Sequence, residues 1–235
     1  LSGKDSMYID GDLAGAFGER RRVSGLPSLQ FTAISVVPDI GRCQTMEPKQ
    51  AGDLLYILGV TRDELGASEY YELVGLTGRN VPTVDPHGVL PLYRDLSGAM
   101  AAGRVASAHG IYRGRLGVHL ALMVMAAGLG LDVDLARVPC AELTERGEES
   151  DAILGNDRVL YSESAGRFLV TVPREEATAF EQRMRERVAM RIGRVTAEAR
   201  LRVRGVGGTG LIDLPAAKAT SSLAATAASF ACESF

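Results

Sequence analysis

The chain has 235 residues, 46% hydrophobic and 23% charged, enough for one large domain or two small ones around a sizeable core. Its 26 Lys and Arg are interspersed with 29 Asp and Glu, a formal charge of −3. That excludes nucleic acid as a major partner, because neutralising a phosphate backbone needs a clustered basic face. The most basic run, Glu19-Arg20-Arg21-Arg22, is short and reads as a solvated loop. Cys43, Cys140 and Cys232 are odd in number and far apart, so no disulfide or metal framework follows, and a reducing cytoplasm fits. The apolar segment 116–130 is too short for a bilayer span and carries His119 beside Arg115, which excludes a membrane helix. The chain opens on Leu1 without an initiator Met, as expected of a fragment of a longer protein.

In chain order, residues 1–7 form a polar turn and residues 8–25 a Gly-rich mobile loop. Residues 29–37, LQFTAISVV, read as a strand closed by Pro38. The continuous apolar run LLYIL at 54–58 suits a strand buried on both faces. A short helix follows around 68–74 with Ser68 as N-cap. Val89, Leu92, Tyr93, Leu96 and Met100 have helical spacing, with Pro91 in the first turn. Val105–Ala108 reads as a short strand, 116–128 as a buried helix, and Leu131, Val133 and Leu135, alternating with Asp132 and Asp134, as a half-exposed strand.

Residues 140–157 read as acidic and irregular. Val159–Ser162 and Arg167–Val172 read as strands around a Ser-Ala-Gly turn. Glu175 and Glu176 open a helix whose apolar face is Ala177, Phe180, Met184 and Val188. Residues 191–195, 199–204 and 211–214 read as strands, and 216–230 as a weak helix or disordered tail. The order is mixed and without repeats, which predicts an α/β or α+β fold with helices packed on a sheet.

Gly205-Val206-Gly207-Gly208-Thr209-Gly210 has the letters of a dinucleotide fingerprint, but strand-like segments on both sides make it a hairpin turn. His87 sits in a turn, and His119 reads as packed within an apolar helix. His109 ends a short strand before Gly110, a position that often faces a site. Gly66-Ala67-Ser68 at a helix start suits either a phosphate or a simple N-cap. Ser162-Glu163-Ser164 with Arg167 suits either a polar turn or a charged pair at a site mouth.

Six segments in register resemble the formylglycinamidine ribonucleotide synthase family, synthetase subunit: GKDSM at 3–7, LPSLQFTA at 26–33, GDLLYILGVTRDELGASEYY at 52–71, VPTVD at 81–85, the His109 region, and LYSESAGRFLVTV at 160–172. The resemblance runs from residue 1 to about 213. It is greatest to the C-terminal half of that subunit's duplicated body, an aminoimidazole ribonucleotide (AIR) synthase-like domain with a mixed sheet and packed helices. It implies that 1–25 ends a preceding AIR synthase-like domain and linker, 26–214 is the domain, and 215–235 an Ala-rich tail. The family uses ATP and Mg²⁺ to amidate formylglycinamide ribonucleotide in purine biosynthesis, with ammonia from a glutaminase partner. The same resemblance implies partnership with N-terminal AIR synthase-like domains and pairing with another copy or half. It places Lys4 and Asp5 in the nucleotide-side loop and Ser68 and Glu69 in a Gly-Gly-Ser-Glu-Tyr loop, with Ala67 replacing the second Gly. Ser162, Glu163 and Arg167 match a Ser-Glu-Ser-x-x-Arg segment, and His109 stands at the catalytic position.

Two departures matter. Where the family has His-Asp-x-Ser-Asp-Gly-Gly, this chain has His109-Gly110-Ile111-Tyr112-Arg113-Gly114-Arg115. The acid that helps hold Mg²⁺ in the family is missing, and a hard cation needs oxygen ligands. Arg113 and Arg115 are phosphate-binding candidates instead. The Ala-rich tail also lacks the family's aromatic-bearing helix. A domain that contributes walls and loops to a composite site, a non-catalytic scaffold, and a kinase- or maturation-type relative all remain open on these residues.

Overall fold

A computed structural model of the chain describes residues 10–14, 19–24, 32–143, 149–151 and 154–221. The chain divides into two compact units, Leu1–Ile40 and Gly41–Phe235. In the first, β1 (Asp10–Ala14) and β2 (Arg20–Ser24) pair antiparallel with Asp12 opposite Arg22. In its described parts, 10–14 and 19–24, the expected loop over 8–25 is therefore two paired strands, with Arg20-Arg21-Arg22 of the basic run in the second. The expected strand over 29–37 is not formed in its described part, 32–37, where Ile34 and Val36 are exposed and no strand among the described residues pairs with them.

The second unit is built on a seven-stranded mixed sheet. Its strands are β3 (Leu54–Leu58), β5 (Ser107–Gly110), β6 (Gly130–Asp134), β9 (Phe168–Val172), β10 (Ala189–Thr196), β11 (Arg200–Arg204) and β12 (Gly210–Pro215). They lie in the order β12-β11-β6-β10-β3-β9-β5, antiparallel except for the β11–β6 pair. A small second sheet joins β4 (Thr61–Arg62), β7 (Cys140–Leu143) and β8 (Glu149–Asp151). The helices are α1 (Glu69–Leu73), α2 (Pro86–Ala101), α3 (Arg115–Ala127), α4 (Asn156–Tyr161) and α5 (Ala177–Met184).

Central strand β3 is buried at all five positions because helices cover both of its faces. Leu54, Tyr56 and Leu58 pack with Leu92, Leu96 and Ala99 of α2 and Phe180 and Met184 of α5. Leu55 and Ile57 join Leu116, Leu120 and Met123 of α3 and Val159 and Leu160 of α4. Each buried side chain of this size adds about 1.5–3 kcal/mol through water release. Two interlocked cores therefore hold the sheet, as the unbroken apolar run predicts.

Further element assignments differ from the sequence reading: Val188, expected on the apolar face of α5, lies beyond its end at Met184 and is exposed. Val159–Ser162 belongs to the end of α4, not to a strand; a short apolar run does not distinguish the two. α2 starts at Pro86, where Asp85 accepts from the N–H groups of His87 (2.9 Å) and Gly88 (3.0 Å). Pro91 consequently lies inside the helix rather than in its first turn. The 140–157 segment contains β7, β8 and the start of α4. The Gly205–Gly210 segment is the expected β11–β12 turn, closed by Gly205 N–H to Thr209 C=O at 2.8 Å. Residues 222–235, most of the Ala-rich tail, lie outside the described residues. Among the described residues no helix is long and apolar enough to cross a membrane.

Candidate functional site

The loop before α1 and the loop after α4 are fused by buried polar groups. Arg167, 1% exposed, donates to Ser164 C=O (3.0 Å), Thr61 Oγ1 (2.8 Å) and Ser162 C=O (2.5 Å). A guanidinium fork suits this, since three fixed donors meet three acceptors at once. Burial first, then the neighbouring Arg115, press its pKa down to about 10, so it stays charged at neutral pH. Ser162 Oγ accepts from Glu64 N–H at 2.9 Å and donates to Arg62 C=O, while Ser164 Oγ accepts from Arg62 N–H at 2.8 Å. Ser162, Ser164 and Arg167 therefore spend their polar atoms on the scaffold.

The Gly66-Ala67-Ser68 turn is also satisfied internally. Its N–H groups donate to Asn80 (2.8 Å), Thr77 (2.7 Å) and Leu65 (3.1 Å) carbonyls, and Ser68 Oγ caps α1 by accepting from Tyr71 N–H at 3.1 Å. A Cβ on Gly66 would come within 2.7 Å of the Asn80 backbone, which requires glycine. Ala67 holds φ +55, the left-handed region that costs an L-residue about 1–2 kcal/mol. Arg115 holds φ +58 directly after Gly114 at φ +85. Both are non-glycine residues in the left-handed region, at positions where the motifs this sequence resembles carry glycine.

Between β5 and α3, His119 Nε2 accepts from Tyr112 N–H at 2.9 Å, and His119 Nδ1 lies 2.7 Å from His109 Nε2. The first bond leaves the proton of neutral His119 on Nδ1. That nitrogen then donates to His109 Nε2, so His109 can offer only its Nδ1–H. Burial, then the charge of His119, lowers the His109 pKa to about 4; burial also lowers that of His119. His109 is a neutral hydrogen-bond donor at pH 7, with its Nε2 lone pair taken. His119 is the packed histidine expected of α3.

Two ion pairs tie these loops together: Arg113 to Glu69, and Arg115 to Glu163. The first is exposed, Arg113 at 85%; in the second both side chains are about 15% exposed, at 16% and 15%. Between them lies a cleft of about 250 Å³, lined by Glu69, Tyr70, Leu73, Arg115, Val118 and Tyr161 among others. The rings of Tyr70 and Tyr161 stack there at 4.9 Å. Ser68, His109 and Ser162 thus belong to loops that meet at one end of the domain. Lys4 and Asp5 lie outside the described residues.

The donor set does not fit Mg²⁺. Position 110 is glycine, with the Tyr112 ring over the place its Cβ would take, at 2.3 Å. The nearby carboxylates of Glu69 and Glu163 are each held by an arginine. Sequence reasoning missed Glu64, which is 3% exposed. Its Oε1 accepts from Thr83 N–H (2.9 Å) and Oγ1 (2.8 Å), and its Oε2 is buried without a partner among the described residues. The signal was present in the TRDELGAS segment, but only the fold shows that Glu64 faces inward.

Residues 50–206 match the family described as AIR synthase related protein, C-terminal domain. The chain is 32% identical over 203 residues to the phosphoribosylformylglycinamidine synthase subunit PurL of Limosilactobacillus fermentum, covering 85% of this chain and 24% of that protein. The fold is similar to T. maritima PurL complexed with FGAR (TM-score 0.62, 20% identity, 77% of this chain and 30% of that one). It is also similar to PurLQS from Thermotoga maritima (TM-score 0.62, 18% identity, 75% and 27%). This chain thus spans about a quarter of the length of the curated relative. With two thirds of its residues matched, the chain belongs to the family of AIR synthase related proteins, as their C-terminal domain.

Proposed function

We propose that this chain is the C-terminal AIR synthase-like domain of a phosphoribosylformylglycinamidine synthase, which uses ATP to amidate formylglycinamide ribonucleotide in purine biosynthesis. The observation that carries this reading is the identity to the L. fermentum subunit over 203 residues, which includes the three loops that meet in the fold. The domain forms one wall of a composite site and positions loops, while N-terminal AIR synthase-like domains supply the rest and a glutaminase supplies ammonia. Residues 1–25 complete the preceding domain, 26–214 form this one, and 215–235 are a tail. Exposed Leu73, Leu76, Val81 and Val84 beside the Ser68–Glu69 loop support a neighbouring domain there, since apolar surface of this extent is usually covered. The free thiols of Cys43 and Cys140 suit a reducing cytoplasm.

The paired charges favour a specific form of this role. With Arg113 on Glu69 and Arg115 on Glu163, the His109–Arg115 loop carries no open carboxylate for Mg²⁺, so this half is a wall without metal-bound nucleotide. His109 orients a neighbouring group by donating from Nδ1. The test is a chimera in which this chain replaces the aligned segment of the L. fermentum subunit, assayed for ATP- and ammonia-dependent conversion of formylglycinamide ribonucleotide. The reading predicts turnover. A folded chimera that makes no product, beside an active parent subunit, overturns it.

A further inference from the structure

The helices leave part of the sheet bare, and that part is strongly cationic. Leu131 and Val133 of β6, Ile192 and Val195 of β10, and Leu201 and Val203 of β11 point into the core shared with α3. Alternation therefore turns Asp132, Asp134, Arg191, Arg194, Arg200, Arg202 and Arg204 to the opposite face. A β-bulge between Arg191 and Gly193 keeps Arg191 and Arg194 on the same side despite the extra residue. Gly193 is required at this crowded step, because a Cβ there would lie 2.1 Å from Asp132 C=O.

On this face lies a groove of about 400 Å³. Asp132 and Asp134 are the two acids in its lining, and Arg137, Arg174, Arg191, Arg194 and Arg204 are the five bases. The aspartates are already engaged, Asp132 with Arg194 at 3.1 Å and Asp134 with Arg204 at 3.6 Å. Arg137, Arg174 and Arg191 are exposed and come from three separate elements. Among the described residues none of them has a carboxylate within ion-pair distance. Three guanidinium groups without an ion-pair partner among the described residues line one concave surface of a chain whose overall formal charge is −3, with the Glu181 carboxylate, bonded to the Tyr56 hydroxyl at 2.7 Å, in their neighbourhood.

We propose that this groove binds a small polyanion bearing two or more linked phosphates. Its size is that of a small-molecule site, and planar guanidinium groups pair with phosphate oxygens through two hydrogen bonds at once. Three of them from separate elements match several charges held close together better than a single carboxylate. Both aspartates are consumed by arginines, so binding needs no divalent cation. This site is built from the open sheet face, uses none of the loops around Ser68, His109 and Ser162, and does not depend on the proposed amidation.

The test is calorimetric titration of the chain at low salt, in EDTA, with inorganic tripolyphosphate, orthophosphate, ATP and hexaglutamate. Tripolyphosphate is expected to bind at least ten-fold more tightly than orthophosphate and to weaken steeply with added salt. The Arg137→Gln/Arg191→Gln variant should lose at least ten-fold of that affinity with an unchanged circular dichroism spectrum, while Arg185→Gln, at an exposed arginine paired with Glu186 outside the groove, should bind as the parent does. ATP binding more tightly than tripolyphosphate identifies a nucleotide as the source, and equal binding identifies free polyphosphate. No binding, binding unchanged in the double variant, or orthophosphate equal to tripolyphosphate overturns the proposal. Hexaglutamate binding as tightly as tripolyphosphate also overturns it, in favour of an acidic protein segment.

Discussion

Replacing Ala67 with glycine should stabilise the domain. Ala67 sits at φ +55 and is exposed, so removing its methyl forfeits no buried surface. Relief of the left-handed conformation contributes about 1–2 kcal/mol. The extra freedom of glycine in the unfolded chain subtracts about 0.5–1 kcal/mol. The net is a gain of up to about 1.5 kcal/mol, or a Tm rise of up to about 6 °C for a domain of this size. The chain has no Trp, so urea or thermal unfolding is best followed by far-ultraviolet circular dichroism. Gly66→Ala, one residue earlier, is the control: its Cβ collides with the Asn80 backbone, and the loss should exceed about 2 kcal/mol. A loss of stability in Ala67→Gly would refute the claim that Ala67 is strained in this turn.

Arg115→Gly relieves an equally strained φ but unpairs Glu163, so it should destabilise by about 1–3 kcal/mol, the opposite sign to Ala67→Gly, in the same unfolding assay. Arg167→Met leaves three buried acceptors without a donor and should cost about 3–5 kcal/mol in urea unfolding, with Arg167→Lys recovering only a part. His109 and His119 have pKa values lowered by burial, so the unfolded chain takes up protons on them from about pH 6.5 while the fold resists to about pH 4 for His109. Their stabilisation is complete above pH 6.5 and declines as the pH falls through that window. Allowing for partial exposure it amounts to about 1–2 kcal/mol. A His109→Gln/His119→Gln variant should show a flatter stability profile between pH 7.5 and 4.5 than the parent. Gly110→Asp with Arg113→Asp frees Glu69 and sets three carboxylates on one loop cluster once the exposed Tyr112 ring swings aside. Calorimetry should then detect Mg²⁺ binding that the parent lacks, and silence from a folded variant would remove the loop from the site.

The strongest local signals translated directly into structure. LLYIL had to be covered on both faces, and the alternation in LDVD marked a strand with one open face. The letters of a glycine fingerprint gave way to a hairpin because strands flank them. What was not legible was set by distant chain. VLY has no period long enough to tell a strand from the helix α4 that it forms. Pro91 looks like a helix start in sequence because the true cap, Asp85, lies before an apolar-poor turn.

In the site, the segments carrying Ser68, His109 and Ser162 were visible from their resemblance to a family. Their joining was not: Arg113 and Glu69 are 44 positions apart, and Arg115 and Glu163 are 48. Sequence showed two arginines replacing an acid and a glycine and suggested phosphate binding. In the fold each arginine faces a glutamate of a neighbouring loop, and His109 is held through His119. The cationic groove is not legible in the sequence because its arginines are scattered from 137 to 204 and only the fold brings them together.

A double-mutant cycle on Arg115 and Glu163 asks most directly whether the loops meet as a neutralised cluster. Arg115→Met and Glu163→Gln, alone and together, should give a coupling energy of about 1–3 kcal/mol in urea unfolding. The same cycle on exposed Arg113 and Glu69 should give under about 0.5 kcal/mol. Strict additivity at Arg115 and Glu163 would mean that the two loops do not meet in the folded protein.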